Sequence, residues 1–382
     1  MNLDILCLSH LRWNFVYQRP QHLLSRFALN CRVFVWEEPI FDASFSYLDI
    51  KKQPDSNIWI MVPHLMPGDS DIENISAQRI LINEMMASMH INNYLLWYYS
   101  PMAMDFTDHL SAEVIVYDCM DELSNFKFAS PGLKENEARL FKIADIVFTG
   151  GHHLYAAKKH QHHNIYPFPS SIDKGHFLEA RKSLPEPADQ LNIPHPRIGF
   201  YGVVDERFNL QLVQDIALAM PQWHLVILGP VVKIDPATLP ANNNIHYLGG
   251  KDYKDLPQYL AGWDIAMMPF AINESTTYIS PTKTPEYLAG GKQVISTPIQ
   301  DVVTPYGDLN LVHIVATSEE FIDAAKNILA TVNNEIWLKK TDAFLADISW
   351  DKTWENMNTL ILKVKNTNIL ISNINKNEVL NY

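Results

Sequence analysis

Lys283 and Glu286, three residues apart, sit in the stretch Ile279-Ser280-Pro281-Thr282-Lys283-Thr284-Pro285-Glu286-Tyr287-Leu288-Ala289-Gly290-Gly291-Lys292-Gln293-Val294-Ile295-Ser296. The stretch reads as a loop, a capped helix start, a Gly-Gly stop and a β-branched strand. Thr282 or Thr284 can serve as the N-cap, and Pro285 is tolerated in a first turn whose amides have no intrahelical partners. On one face of that turn a cation, a carboxylate and free amides make a socket for a diphosphate that carries a ribose. The competing reading is a surface loop with a solvated Lys–Glu pair.

Other constellations sit where strands should end. Gly199-Phe200-Tyr201-Gly202-Val203-Val204-Asp205-Glu206-Arg207 offers glycines for close backbone approach and Arg207 for a phosphate, or else a plain tight turn. His246-Tyr247-Leu248-Gly249-Gly250 is a turn that can offer backbone groups to a pyrimidine edge with Tyr247 beside the ring, or a strand end with a core tyrosine. Ser9-His10-Leu11-Arg12-Trp13-Asn14-Phe15-Val16-Tyr17-Gln18-Arg19-Pro20-Gln21-His22 runs into a helix with Pro20 at its start, so free amides again face the ligand side. Neither G-x-G-x-x-G nor a Walker A motif follows a first strand, which counts against nicotinamide enzymes and P-loop ATPases. His152, His153, His160, His162 and His163 lack zincin spacing; beside Lys158 and Lys159 they read as a solvated helix, with anionic lipid as a further option.

The elements that must position these groups alternate, short β-branched runs with helical patterns, as in parallel sheets of βαβ units. The first half gives strands at Leu3–Leu8, Cys31–Trp36, Ile58–Val62, Tyr94–Tyr99, Glu113–Asp118 and Asp145–Thr149. Helices fit at Arg19–Leu29, Ser76–His90 and Leu133–Ile143. Residues 185–196 carry four prolines and read as a linker. Strands resume at Arg197–Tyr201, Trp223–Leu228, Ile245–Leu248, Trp263–Met268, Gln293–Ser296 and Leu311–Val315. Helices fit at Asn209–Met220, Leu256–Ala261, Glu319–Thr331 and Glu335–Ala346. The expected architecture is α/β: two doubly wound, Rossmann-like parallel-sheet domains, 1–184 and 197–349, facing a cleft. A helix over 350–365, with Trp350 and Trp354 as anchors, packs back on the first domain, and 366–382 is a flexible tail.

At 382 residues, with 47% apolar and 19% charged content, the chain supports two cores. A net charge of -13 disfavours broad nucleic-acid binding. Cys7, Cys31 and Cys119 are scattered and read as thiols in a reducing compartment. The first eight residues are too short and acidic for a signal peptide, and no apolar run is long enough to span a bilayer. The expected location is cytoplasmic, with a peripheral place at the inner face of the membrane left open.

From Arg197 to Ser296 the chain resembles the nucleotide domain of GT-B glycosyltransferases of the retaining group 1 kind: a strand–Gly–x–x loop, an H-Y-L-G turn, then P-x-K-x-x-E-Y-L-A-x-G-K. The resemblance implies that Glu286 binds ribose hydroxyls, Lys283 meets the diphosphate, and the turn at Tyr247 meets the base, with Gly202, Arg207 and Thr282 beside them. Many retaining members carry two glutamates eight apart; here Tyr278 stands eight before Glu286, and Glu274 is the nearest upstream acid. That departure brings the chain nearer to the teichuronic-acid and xanthan glucuronosyltransferase types. Similar bacterial transferases carry an R-W-x-x-x-x-Q-R-P-Q-H stretch, which implies acceptor or phosphate contacts for Arg12, Gln18, Arg19 and His22. In related folds an acid or His ends the strand corresponding to Val116–Asp118, which makes Asp118, then Asp121, the candidate acceptor contact and, if the reaction inverts, the general base; a helix N-cap is the alternative.

The expected function is therefore metal-independent transfer of a sugar from a nucleotide-diphosphate donor, UDP-linked, to a glycan or lipid-linked acceptor of a bacterial surface polysaccharide. Retention is favoured over inversion. No cofactor is expected beyond the donor, and nucleic acid is not a partner. The alternatives are a sugar-nucleotide epimerase of the same fold and a non-catalytic scaffold subunit.

Overall fold

The computed structural model describes residues 3–331 and 334–379. Strands β1 (Asp4–Leu8), β2 (Val33–Trp36), β3 (Ile40–Phe41), β4 (Tyr47–Lys52), β5 (Ile58–Leu65), β6 (Tyr94–Tyr98), β7 (Val114–Cys119), β8 (Ile146–Thr149) and β9 (Ile165–Pro167) form one sheet. Its order is β3-β5-β2-β1-β6-β7-β8-β9, with β4 antiparallel on β5. Strands β10 (Arg197–Tyr201), β11 (His224–Leu228), β12 (Ile245–Gly249), β13 (Ile265–Met268), β14 (Val294–Ser296) and β15 (Val312–Ile314) form a second, all-parallel sheet in the order β12-β11-β10-β13-β14-β15. Each sheet thus begins near its middle, grows to one side, then crosses over and grows to the other. The reversals fall between β1 and β6 and between β10 and β13. At such switch points the loops leaving two neighbouring strands part and leave room for a ligand.

The central strands are buried on both faces, as their continuous apolar runs require: Leu95-Leu96-Trp97-Tyr98 in β6 and Leu225-Val226-Ile227-Leu228 in β11. The chain forms two compact units. The first runs to Ser124, takes Phe128–Pro169 and resumes at Trp350; the second comprises Asn125–Lys127 and Ser170–Ser349. Trp350, Met357 and Ile361 of the helix Trp350–Val379 join the core of the first unit. Among the described residues no helix is long and apolar enough to cross a membrane.

Several boundaries differ from the sequence reading. The prolines of 185–196 break regular structure, but this segment lies inside the second unit. Gln190 is fully buried there, accepting a bond from Trp263 Nε1 at 2.9 Å and donating to the Tyr259 carbonyl at 3.1 Å. Long-range bonds of this kind leave no local trace. The second helix starts at Asp71 rather than Ser76, because Ser70 and Glu73 form a reciprocal capping box. The last helix continues past residue 365 to Val379, and residues 380–382 of the expected tail lie outside the described residues. Strands β3, β4 and β9 were not anticipated; β4 alternates weakly and sits exposed on the sheet edge.

Lys158, read as solvated, is buried. Its ammonium meets Glu122 at 2.7 Å and both Glu137 oxygens at 2.8 Å, and Tyr117 donates to the same Glu137 at 2.7 Å. Among the described residues no group of three or more His, Cys, Asp or Glu is arranged to hold a metal ion.

In the second unit Gly199 lies against the indole of Trp263, and a β-carbon there would overlap its ring. Gly199→Ala is expected to cost about 2 kcal/mol through overpacking. It should lower the urea midpoint without changing the denaturant slope.

Candidate functional site

The candidate site grows from the carboxyl end of β10. Gly202 follows the strand with φ +147°, and Gly229 follows β11 with φ +141°. The two backbones pass so close that a β-carbon on Gly229 would overlap the Gly202 carbonyl. Gly229 N–H donates to Gly249 O at 2.8 Å, which ties in the end of β12. Only glycine allows this backbone geometry and contact together. A β-carbon on Gly202 would also overlap Lys283 Cε, so its absence opens the path along which the lysine extends.

Lys283 begins the helix Lys283–Ala289, which follows β13 across the switch point. Thr282 stands at its N-cap but makes no capping bond with its side chain, and it already has helical backbone angles. The Lys283 ammonium lies 5.9 Å from the Phe200 ring centroid. Burial pulls its pKa down, opposed by the negative charge of Glu286.

Glu286 is 4% exposed and accepts a hydrogen bond from Tyr201 Oη at 2.9 Å. Burial pushes its carboxyl up to about 7, with Lys283 and the Tyr201 bond holding it back. A carboxyl balanced near neutrality, one turn from a cation and at a switch point, is a binding-site signature.

The other residues singled out in this unit are engaged by the protein. Asp205, itself buried, holds Arg207 through Oδ1 at 3.0 Å and Oδ2 at 2.6 Å, and the guanidinium lies 5.3 Å from the Phe126 ring centroid. Both groups act on the charge of Lys283, which places them in the same neighbourhood. Tyr247 points to the protein: its hydroxyl donates to the Pro240 carbonyl at 3.3 Å, and burial raises its pKa to about 12. Lys283, Glu286, Gly202 and Arg207 are therefore brought together, whereas Tyr247 is turned to a local carbonyl.

In the first unit the arginines are clamped. Arg12 donates to Glu37 at 3.0 Å, and Trp13 N–H donates to the same carboxylate at 2.7 Å, so Glu37 pins the loop after β1. Gln18 caps the helix Arg19–Phe27 in a reciprocal box with Gln21. Arg19 is buried; it donates from Nε and Nη2 to the two oxygens of Asp118 at 3.0 and 2.8 Å, and to the Phe168 carbonyl at 2.6 Å. His22 is buried and stacks on Trp350 at 4.7 Å.

These geometries suit Arg19 and His22 to packing of the first unit, and Asp118, fully buried, to anchoring Arg19. A general base needs an oxygen that can reach a substrate proton, and both Asp118 oxygens are turned to the guanidinium. Asp121 is half-buried, and its carbonyl takes the Cys119 thiol.

The sequence reading missed Tyr201 and Asp205. Tyr201 had a signal, a tyrosine directly before the strand-ending glycine; Asp205 had only its place two residues before Arg207.

Residues 195–331 match the family model described as glycosyl transferases group 1. The glycosyltransferase TuaH, assigned to teichuronic acid biosynthesis in Bacillus subtilis (strain 168), is 24% identical over 227 residues, covering 55% of this chain and 57% of that protein. The chain thus spans little more than half the length of that relative. Among solved structures, Anabaena Alr3699/HepE in complex with UDP and glucose has a TM-score of 0.68 at 14% identity, covering 94% of this chain and 99% of that one. Sucrose-phosphate synthase from Thermosynechococcus elongatus also has a TM-score of 0.68 at 14% identity, over 95% of this chain and 99% of that one. A third, from E. coli, is described as trehalose-6-phosphate bound with UDP-2-fluoro glucose; its TM-score is 0.67 at 11% identity, with 95% and 99% covered.

The fold is accordingly two parallel-sheet α/β domains of the GT-B type. The resemblance to group 1 glycosyltransferases, including the teichuronic-acid type, holds, and the matched segment contains Gly202, Arg207, Tyr247, Lys283 and Glu286.

Two outcomes follow from the buried charges. The folded protein keeps the Glu286 proton up to about pH 7, whereas the unfolded chain releases it near the ordinary 4.5. The resulting stability is complete below about pH 4.5 and is lost as pH rises through 7, a fall on the order of 3 kcal/mol. Urea unfolding at pH 5 and pH 8 should show that loss, and Glu286→Gln should flatten it. Asp118→Asn should cost about 3 kcal/mol by leaving Arg19 buried beside a neutral amide. An Asp118→Asn protein of normal stability that has lost turnover would instead make Asp118 the base.

Proposed function

We propose that the protein is a sugar transferase that takes its sugar from a UDP-linked donor and passes it to a glycan or lipid-linked acceptor in bacterial cell-surface polysaccharide synthesis. The observation that carries this reading is the junction of Gly202, Lys283, Tyr201 and Glu286 at the switch point of the second sheet. The family match over 195–331 supports the transferase class. The UDP ligand named for HepE and the teichuronic acid assignment of TuaH support the donor and the acceptor class.

In this reading the Glu286 carboxylate accepts the ribose hydroxyls while the Tyr201 hydroxyl fixes its orientation. Lys283 meets the diphosphate and stabilises the charge that grows on it as the bond to the sugar breaks. The glycine path at 202 lets the donor approach the backbone closely. The lysine supplies the positive charge at the leaving group, so the reading includes no divalent metal. The clamping of Asp118 by Arg19 favours retention, because an inverting route through Asp118 would need that pair to open. The acceptor belongs to the first unit, and peripheral attachment at the inner membrane face fits a lipid-linked acceptor.

Thermal shift with UDP, GDP, ADP, dTDP and CMP tests the donor site, since a ligand bound only to the folded state raises the melting temperature. UDP should be selective, and Glu286→Ala should abolish its effect. The shift should grow between pH 6 and pH 8, because the hydroxyl-accepting form of Glu286 is populated only as pH rises through about 7. No shift with any nucleotide at millimolar concentration would overturn the transferase reading in favour of a scaffold.

A further inference from the structure

The first sheet ends in an open strand. Among the described residues β4 pairs with β5 alone, in an unbroken antiparallel register from Tyr47↔His64 to Lys52↔Trp59. None of its six residues is buried, and Tyr47 and Ile50 are both exposed. A regular edge strand without a bulge is a template for another strand, and soluble proteins blunt such an edge or cover it. The two lysines of β4 are turned to the protein's own groups. Lys52 sets its ammonium 5.0 Å from the Trp59 ring centroid, and Lys51 meets Asp49 at 2.6 Å.

The hydrogen-bond pattern fixes which backbone groups face outward. Gln53, one step beyond β4, donates its N–H to Ile58 O at 2.8 Å, so these two form a hydrogen-bonded pair. In an antiparallel ladder such pairs alternate with unbonded ones. Tyr47, Asp49 and Lys51 therefore bond to β5, while Leu48, Ile50 and Lys52 turn their N–H and C=O groups away from it. Two further observations agree. Leu48 lies opposite Pro63, which has no N–H to give. Met61 lies opposite Ile50, and its carbonyl accepts Glu37 N–H at 2.9 Å from the end of β2.

A second copy of β4 fits this edge in one register. Outward-facing residues must pair with outward-facing ones, and a two-fold axis makes the contact closed and self-complementary. Within β4 the axis can then pass only through Leu48, Ile50 or Lys52. Through Ile50 it sets Asp49 of each copy opposite Lys51 of the other, in the unbonded pairs where side chains approach most closely. On the other face Ile50 meets Ile50, and Leu48 meets the aliphatic stem of Lys52. Through Lys52 the axis would set Lys52 against Lys52, Asp49 against Asp55 and Ile50 against Pro54. Through Leu48 it would set Asp49 against Tyr47 and Lys51 against Phe45, with no charge paired.

We propose that two copies of the chain associate through β4 about a two-fold axis at Ile50, joining their first sheets into one continuous sheet with Asp49–Lys51 pairs across the seam. The contact makes no use of the donor site and stands whether or not the protein transfers sugar.

Sedimentation velocity of the full chain over a micromolar to millimolar range should show a passage from monomer to dimer. Asp49→Lys and Lys51→Asp each turn two attractive pairs into two repulsive ones, and each should weaken the dimer about tenfold or more. Mixed in equal amounts, the two variants carry complementary edges. Dimer should return at a concentration where each variant alone is monomeric. Ile50→Pro removes an N–H that bonds nothing in β5, so it should abolish the dimer while the fold persists. All three variants should keep a thermal midpoint close to that of the wild type, since the changes fall on the solvent edge, where the Lys51 side chain is 71% exposed.

A wild-type chain that stays monomeric throughout the range would overturn the proposal. A dimer that survives Asp49→Lys would do the same, because the seam would then lie elsewhere. So would a mixture of the two charge variants, both folded, that stays monomeric.

Discussion

Two backbones meeting without side chains between them set the geometry of the second unit. Gly202 and Gly229 end adjacent parallel strands, and the carbonyl of one occupies the space where the other would carry its β-carbon. Here the close contact holds the loops together and keeps the approach to Lys283 clear. The helix that carries Lys283 and Glu286 is only seven residues long. It owes its position to the buried Tyr287, Leu288 and Ala289 rather than to helical propensity. Tyr287 also accepts the Tyr201 amide at 3.0 Å, so one helix turn and one strand end are fastened by two tyrosines in opposite senses.

The two sheets share a winding order but equip their switch points differently. In the second sheet a lysine and a carboxylate lie near the reversal, a pairing suited to an anionic ligand with hydroxyls attached. At the reversal of the first sheet the arginines of the nearby loop are consumed by the protein, Arg12 by Glu37 and Arg19 by Asp118. The common winding supplies a place, and the chemistry of the place is set by which charges the protein has already neutralised.

That distinction also separates what could be read from the sequence from what could not. Strand and helix types followed from periodicity, as in the apolar run of β11 and the Gly-Gly stop after Ala289, because burial on one or both faces imprints a local pattern. The K-x-x-E turn was legible for the same reason: its parts are neighbours in sequence. Arg19 and Asp118 are 99 positions apart, and nothing near either residue announces that they neutralise each other. Lys158 looked solvated beside Lys159 and its histidines, since Glu137, 21 residues before it, gives no local sign of the buried pair. The bond from the Tyr247 hydroxyl to the Pro240 carbonyl, seven residues away, likewise has no local sign in the turn. Side-chain partners across long loops are thus the part of a site that a single sequence conceals.

The order of the charges in the second unit has a consequence for how a donor would be held. A diphosphate brought near Glu286 alone would push its carboxyl further up and strip it of the charge needed to accept hydroxyls. Lys283 lies one turn away and already pulls Glu286 down, against the burial that raises it. Burial depresses the lysine's own pKa, and an arriving anion would restore its hold on the proton. The cation therefore strengthens as the ligand enters, at the point where two negative groups would otherwise oppose each other. The Tyr201 hydroxyl adds a donor to Glu286 from the protein side, which leaves the remaining lone pairs for the ligand. A lysine and a glutamate three apart on one buried turn can then hold phosphate and ribose together, while either residue alone would favour one at the expense of the other.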